Sequence, residues 1–294
     1  DLNIFSIAME PNDLWDFETG IYVMGPNANP NVPYNGANFW QDWERPAHFE
    51  ILNPEGDLLF EQSAGTKIFG GRSRTKPHKS QTFYARSRYG EGEFLYPLFS
   101  KKQHTSYEAF IIRNSGNDWG KAMLREAITA HISEEMKLDH QAYEPVAQYI
   151  NGEYWGLINM REKIHEHFIS AQYHVDPDEV NLIQGNMNIQ AGSLNRYNEL
   201  LEYLRTKDLT DDSVFSELRS YIDLDYYKRY WALNVYINNK DWPSNNSKFW
   251  STNTPGAQWR WIEYDTDFAY SPWGEKDYNI NTLLFALSEG NLHT

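Results

Sequence analysis

The chain has 294 residues and carries 41 acidic against 26 basic side chains, a formal net charge of −15, with no cysteine. Such a charge argues against a protein that coats nucleic acid, and the absence of thiols excludes disulfides, thiolate nucleophiles and thiolate metal sites, so any metal is expected to be a hard ion on oxygen ligands. No apolar run reaches the ~18 residues that a membrane span needs, and 40% apolar with 16% aromatic residues describe a globular chain of one large domain or two lobes.

Neither a basic n-region nor an apolar h-region follows Asp1, so no export signal is read here and the compartment stays open. Residues 20–110 are predicted to be strands and turns. GIYVMG, HFEILNPEGDLLFEQ and TFYARSRYGEGEFLYPLF are short β-branched or aromatic runs, with Asn53-Pro54-Glu55-Gly56 as a hairpin turn. Asn117-Asp118 offers an N-cap for a first long helix through DWGKAMLREAITAHISEEM, where Met123, Ile128, Ile132 and Met136 recur at helical spacing. Next, YEPVAQYI and YWGLINM flank Asn151-Gly152, the strongest hairpin signal in the chain. From EKIHEHFISAQY to about residue 240 the pattern is helical, ending in DLDYYKRYWALNVYINN, whose apolar residues fall on several faces and place it inside a lobe. A loop and a strand-like QWRWIEYDTDFAY follow Asp241. The order predicts an α+β fold: a β-rich N-terminal lobe with one long helix over 1–160, a mostly helical C-terminal lobe over 161–294, and a ligand cleft between them.

Three groups of residues have the types that chemistry needs. Asp241 ends the long helix, Asn246 follows five residues later, and Asp265-Thr266-Asp267 lies about 24 residues on, in the predicted strand. Phosphoryl transfer uses such a set: a carboxylate for the attacking hydroxyl, with an Asn and an Asp holding Mg²⁺ through oxygen. Lys240 beside Asp241 favours the ionised carboxylate that this role requires. The same residues also suit an ordinary turn after a helix, since Asp, Pro, Ser and Asn all form turns. Second, Arg72, Arg74, Lys76, Lys79, Arg86 and Arg88 form a basic island without an Asp or Glu, preceded by Gly70 and Gly71, and such an island asks for an anion such as phosphate. Taken singly, each of these cations also fits a solvated strand face. Third, Tyr154 and Trp155 follow the Asn-Gly turn and Trp259 precedes Asp265, so rings from both lobes can clamp a planar base, or simply fill the core.

Through DLWDFETGIYVMG, GRSRTKPHKSQTF, RNSGNDW to MLREA, VAQYINGEYWGLINMREKI, NNKDWPSNNSKFW and WRWIEYDTDFAY, the chain resembles the CotH kinase family of atypical spore-coat protein kinases. The resemblance covers nearly the whole chain, read as one domain over 1–294. It implies a two-lobed kinase-like fold and transfer of the ATP γ-phosphoryl group, with Mg²⁺, to Ser or Thr of a protein substrate. It further implies a spore-coat or cell-surface setting, while the net charge and the short apolar runs are what speak against a nucleic-acid partner and a membrane span. By motif, Asp241 matches the catalytic Asp, Asn246 the metal-side Asn and Asp265 the metal Asp, with Asp267 the alternative. Lys79, with Arg74 nearby, is the phosphate-side candidate, in competition with Lys76, and Glu126 is the candidate acidic partner. Trp259 and Tyr154 become candidate adenine contacts. The family implies further helices beyond Thr294, so the helical lobe is expected to be truncated. Two rivals remain: a metal-dependent nucleotide-sugar glycosyltransferase, motivated by Asp265-Thr266-Asp267 and the aromatic surplus, and a catalytically silent module that binds glycan or protein.

Overall fold

The computed structural model describes residues 1–185, 187–271 and 279–289, so Thr294 and the expected end of the helical lobe lie outside the described residues. The fold mixes α and β in two compact units: Asp1–Met123 with Ala142–Lys163, and Leu124–Gln141 with Ile164–Thr294.

In the first unit, seven strands close into a barrel in the order β1 (Ile4–Ala8), β2 (Arg45–Leu52), β3 (Leu58–Phe69), β4 (Ser80–Tyr84), β7 (Ala109–Arg113), β10 (Glu153–Glu162) and β9 (Tyr143–Ile150). A ring with an odd number of strands cannot be antiparallel throughout. The one parallel pairing is between β1 and β9, which runs from Ile4 opposite Ala147 to Ile7 opposite Ile150. Alternation along the strands sends Phe5 and Ile7 of β1, Phe49 and Ile51 of β2, Phe83 of β4 and Phe110 of β7 inward. Their rings fill the barrel, with Phe83 stacked on Phe110 at 5.2 Å and Phe5 edge-on to both, at 5.3 and 5.8 Å. A short pair, β5 (Phe94–Leu95) with β6 (Ser106–Tyr107), adds Phe94 to this cluster. Both hairpin turns read from the sequence are present. Asn151 and Gly152 take φ of 50° and 83°, the paired positive values of a type I′ turn, and the Asn151 side chain grips both the N–H and the carbonyl of Met9.

Two local expectations give way. GIYVMG forms turns instead of a strand, although Ile21 and Tyr22 are buried. The first long helix, α2 (Arg125–Glu135), begins seven residues after Asp118 (125 − 118), because Gly116–Asp118 is a 3-10 turn and Met123 turns the chain at φ 56°. A single turn, α1 (Pro11–Trp15), precedes it near the N-terminus.

The second unit is less helical than its periodicity suggests. It holds a five-stranded sheet in the order β12 (Asn188–Ala191), β11 (Val180–Gln184), β13 (Lys248–Thr252), β14 (Arg260–Glu263), β8 (Asp139–His140). Helix α2 and β8 precede the β9–β10 hairpin in the chain yet belong to this unit, with β8 parallel to β14. Around the sheet stand α3 (Glu166–Tyr173), α4 (Asn195–Thr206), α5 (Asp212–Glu217), α6 (Leu224–Tyr236) and α7 (Thr282–Glu289). The core is aromatic: Tyr226, Tyr230, Trp242, Phe249, Trp259 and Trp261 are all buried. The buried Asp139 accepts from Trp250 Nε1 at 2.8 Å and from the Tyr173 hydroxyl at 2.5 Å, so each of its carboxyl oxygens has a partner.

Because Phe110 is fully enclosed by the rings of Phe5, Phe49, Phe83 and Phe94, Phe110→Ala leaves a cavity that the closed barrel cannot collapse. A loss of about 3–5 kcal/mol in unfolding free energy is expected from urea titration. A loss below about 1 kcal/mol is incompatible with this packing.

Candidate functional site

The end of α6 sets the geometry of the Asp241 loop. Asn238 adopts φ 53°, the Asn239 N–H bonds to the Asn234 carbonyl at 3.0 Å and the Asn238 N–H to Val235 at 3.2 Å. This is a Schellman ending with Asn in the left-handed position, and it stops the helix and turns the chain. Two residues later Asp241 is half-buried. Trp242, 1% exposed, then anchors the loop against Trp231 and Tyr230 at ring distances of 4.5 and 6.1 Å. From this anchored loop the Asn245 amide donates to Asp241 Oδ2 at 3.0 Å and the Asn246 amide donates to the same oxygen at 2.7 Å. Asn246 also donates to the Asp265 carbonyl at 3.2 Å. The structure therefore brings Asp241, Asn246 and Asp265 together.

Asp265 is not in a strand, contrary to the sequence expectation. Strand β14 stops at Glu263, and Asp265 itself has φ 54°, a left-handed turn that aims the chain away from the sheet. Asp267 is buried, at 3% exposure, whereas Asp265 is half-buried, so Asp265 is the more accessible of the two carboxylates. The Tyr270 N–H closes the segment onto the Ile237 carbonyl at 2.6 Å, tying it to the end of α6.

The electrostatics of Asp241 also differ from the sequence expectation. Burial, aided by the nearby Asp265 charge, raises its carboxyl above the ordinary value, against the lowering effect of the Asn245 hydrogen bond. A base raised in this way binds a proton more strongly than a solvated Asp. Glu263, at the end of β14, is fully buried and is pushed up to about 8 by desolvation, opposed by a 2.7 Å hydrogen bond from Asn234. The sequence reading overlooked Asn234, Asn239 and Glu263. Their only signal was polar residues inside aromatic runs, LNVYINN and WRWIEY.

In the first unit much of the basic island is paired within the protein. Arg86 and Arg88 both pair with Glu44, and Arg74 donates to the carbonyls of Gly70, at 2.5 Å, and Phe39, at 2.9 Å. Lys79, expected on a phosphate, is 5% exposed. Its ammonium donates to the carbonyls of Arg74, at 2.7 Å, and Lys76, at 3.1 Å, and sits 4.1 Å from the Phe39 ring centre. Two of its three N–H groups thus hold the loop that precedes β4. Lys76 is partly exposed, over the Trp119 ring at 5.4 Å. Glu126, buried on α2, belongs to the second unit.

The two aromatic candidates part company. Trp259 is 1% exposed and enclosed by Tyr197 and Phe249 at 5.3 and 5.8 Å, so it is a core residue and offers no face to a base. Tyr154 is exposed on β10, edge-on to Tyr149 at 5.4 Å. An open depression of about 540 Å³ beside α4, lined by Asn198, Glu202, Tyr203 and Tyr221, contains none of the predicted residues. Among the described residues, His48, Glu50 and Glu61 on β2 and β3 bring three ligand-type atoms within 4.8 Å, also outside the predicted set.

Residues 66–290 match the family model described as CotH kinase protein. No curated protein matches the chain. Among solved structures, that of a proinflammatory kinase of Helicobacter pylori, CtkA, aligns over 81% of this chain and 63% of its own at 11% identity and a TM-score of 0.29. This chain therefore spans less than two thirds of that protein, and a likeness so slight carries no argument about the site.

Burial lowers the Lys79 ammonium from 10.5 to about 8. Between these values the unfolded chain holds a proton that the folded chain has released, so this residue makes stability rise with pH across that window. Thermal melts at about pH 7.5 and about pH 10 should show wild type gaining on Lys79→Met as pH rises. A parallel pair of pH profiles would mean that the ammonium is not buried as described.

Proposed function

The chain belongs to the CotH kinase protein family, and on that premise we propose that it transfers the γ-phosphoryl group of ATP, with magnesium, to Ser or Thr hydroxyls of a protein substrate. The observation that carries this reading is the Asn246 amide, which donates at once to the Asp241 carboxylate and the Asp265 carbonyl. Phosphoryl transfer asks a protein mainly for positioning and charge neutralisation, since its transition state is loose. One amide that fixes two carboxylate-bearing loops supplies such positioning.

The donor set fits a hard cation. With its NH₂ group turned to Asp241 and Asp265, Asn246 has its Oδ1 left as an acceptor, and Asp265 adds a half-buried carboxylate. Asp265 is preferred to the buried Asp267 for this role. Oxygen donors without thiolate suit magnesium, which when bound neutralises phosphate charge. Asp241 does different work. Both hydrogen bonds to its carboxylate fall on Oδ2, so Oδ1 is the atom left to accept the proton of the substrate hydroxyl. Its raised proton affinity strengthens it as a general base.

The two compact units are equated, in the same proposal, with the two lobes of an atypical kinase domain, and a spore-coat or cell-surface setting goes with the family. No helix among the described residues is long and apolar enough to cross a membrane.

Incubation with γ-labelled ATP and a Ser/Thr-rich acceptor protein should transfer label, whereas sugar nucleotides should not be consumed. Asp265→Ala is expected to abolish magnesium-dependent ATP binding in calorimetry with the fold intact. Asp241→Asn is expected to lose kcat on the order of a hundredfold while nucleotide affinity hardly changes. Loss of binding in proportion to activity in Asp241→Asn instead assigns Asp241 to the metal.

A further inference from the structure

Three fully buried polar side chains lie behind the Asp241 loop with no part in the chemistry above. Asn234 is 0%, Asn239 2% and Glu263 4% exposed, in a unit whose core is built mainly of aromatic and aliphatic side chains. Asn234 stands on the buried face of α6 with Tyr230 and Leu233, where an apolar residue would pack without needing partners. Its persistence there is explained only by the bonds it makes.

Those bonds have a direction. The Asn234 Nδ2 donates to Glu263 Oε2 at 2.7 Å and to the Tyr230 carbonyl at 3.1 Å, which uses both of its N–H groups on groups that accept. Its Oδ1 is thereby fixed as an acceptor and takes the Asn239 Nδ2 at 2.8 Å. The Asn239 Oδ1 is fixed in turn and accepts the backbone N–H of Asp241 at 3.3 Å. Each amide can point only one way, because the Tyr230 carbonyl fixes the Asn234 amide and the Asp241 N–H fixes that of Asn239, so the links run in one direction between the Glu263 carboxyl at the end of β14 and Asp241. The chain starts two residues before Asp265 (265 − 263) and finishes on Asp241, and so ties together the two segments that Asn246 bridges from the other side.

We propose that Glu263, Asn234 and Asn239 form a directional hydrogen-bond relay that positions Asp241 for transfer, acting as positioning residues and touching no substrate themselves. The inference rests on the kinase reading and specifies what holds its base. In a low-dielectric interior such linked bonds strengthen one another, and a link that is removed exposes the next buried group unpaired.

The test is a mutant cycle on the whole chain, read as kcat, KM for ATP and amide exchange of Asp241 by NMR. Asn239→Ala is expected to lower kcat about tenfold with KM within about twofold, and to cost nothing further in an Asp241→Asn background. Glu263→Leu should act likewise, and Glu263→Gln, which keeps an acceptor oxygen, should recover most of the loss. Exchange at the Asp241 amide should quicken in Asn239→Ala and in Glu263→Leu. If either folds poorly, Asn239→Asp serves, because it keeps the acceptor towards Asp241 and removes the donor towards Asn234. Equal kcat losses in both backgrounds, or variants that lower only the melting temperature, overturn the relay. Absence of transfer by wild type sinks the kinase reading instead, and the relay is then judged by the exchange rates, which must quicken for it to stand.

Discussion

Two N–H bonds of one amide, from Asn246 to the Asp241 carboxylate and to the Asp265 carbonyl, decide the arrangement of everything that the proposed chemistry uses. The two segments they join come from different elements, a helix end and a strand end, and each leaves its element through a left-handed residue, Asn238 and Asp265. Such turns are costly for residues other than glycine, and Asn and Asp tolerate them best. The residue types that suit the turns are therefore the same types that suit a metal and a proton acceptor. Local backbone demands and chemistry reinforce each other here.

What keeps the loop in place is apolar. Trp242 is buried against Trp231 and Tyr230, so the loop has a fixed floor although Ser244 and Asn245 are exposed. The same burial lowers the local dielectric, which raises the proton affinity of Asp241 and makes unpaired polar groups expensive. An aromatic core under a polar loop thus requires that each carboxyl and amide be paired. The amide pairs around Glu263, Asn234 and Asn239 meet that requirement.

In the first unit, charge is arranged for architecture. Glu44 pairs with both Arg86 and Arg88, Asp42 pairs with Lys67, and Lys79 and Arg74 cap backbone carbonyls of the loops around them. A stretch with no acidic residue of its own looked like an anion site because the carboxylate that pairs with Arg86 and Arg88, that of Glu44, lies 42 and 44 residues earlier in the chain. Sequence spacing has no access to pairings of that range. The barrel shows the same limit from the side of packing. Alternation marked strands, but closure depends on β1 running parallel to β9, a contact spanning more than 140 residues.

Short-range physics was legible from the residues alone. The Asn-Gly turn, the Asn53 to Gly56 turn and helix α6 all depend on preferences acting within a few residues, although α6 stops at Tyr236 and Asp241, read as its end, lies in the loop beyond. The closeness of Asp241, Asn246 and Asp265 was readable because they fall on one loop and just past one strand end. The resemblance to the CotH family also came from such contiguous motifs. What tertiary structure decided is burial and partnership. It took Trp259 out of ligand reach by surrounding it with Tyr197 and Phe249, and it turned Lys79 inward onto carbonyls. It also placed β11 and β12 of the five-stranded sheet in a stretch read as helical. A side chain's type follows from the sequence, but whether it faces water, a ring or a carboxylate depends on contacts between distant segments, and those exist only once the chain has folded.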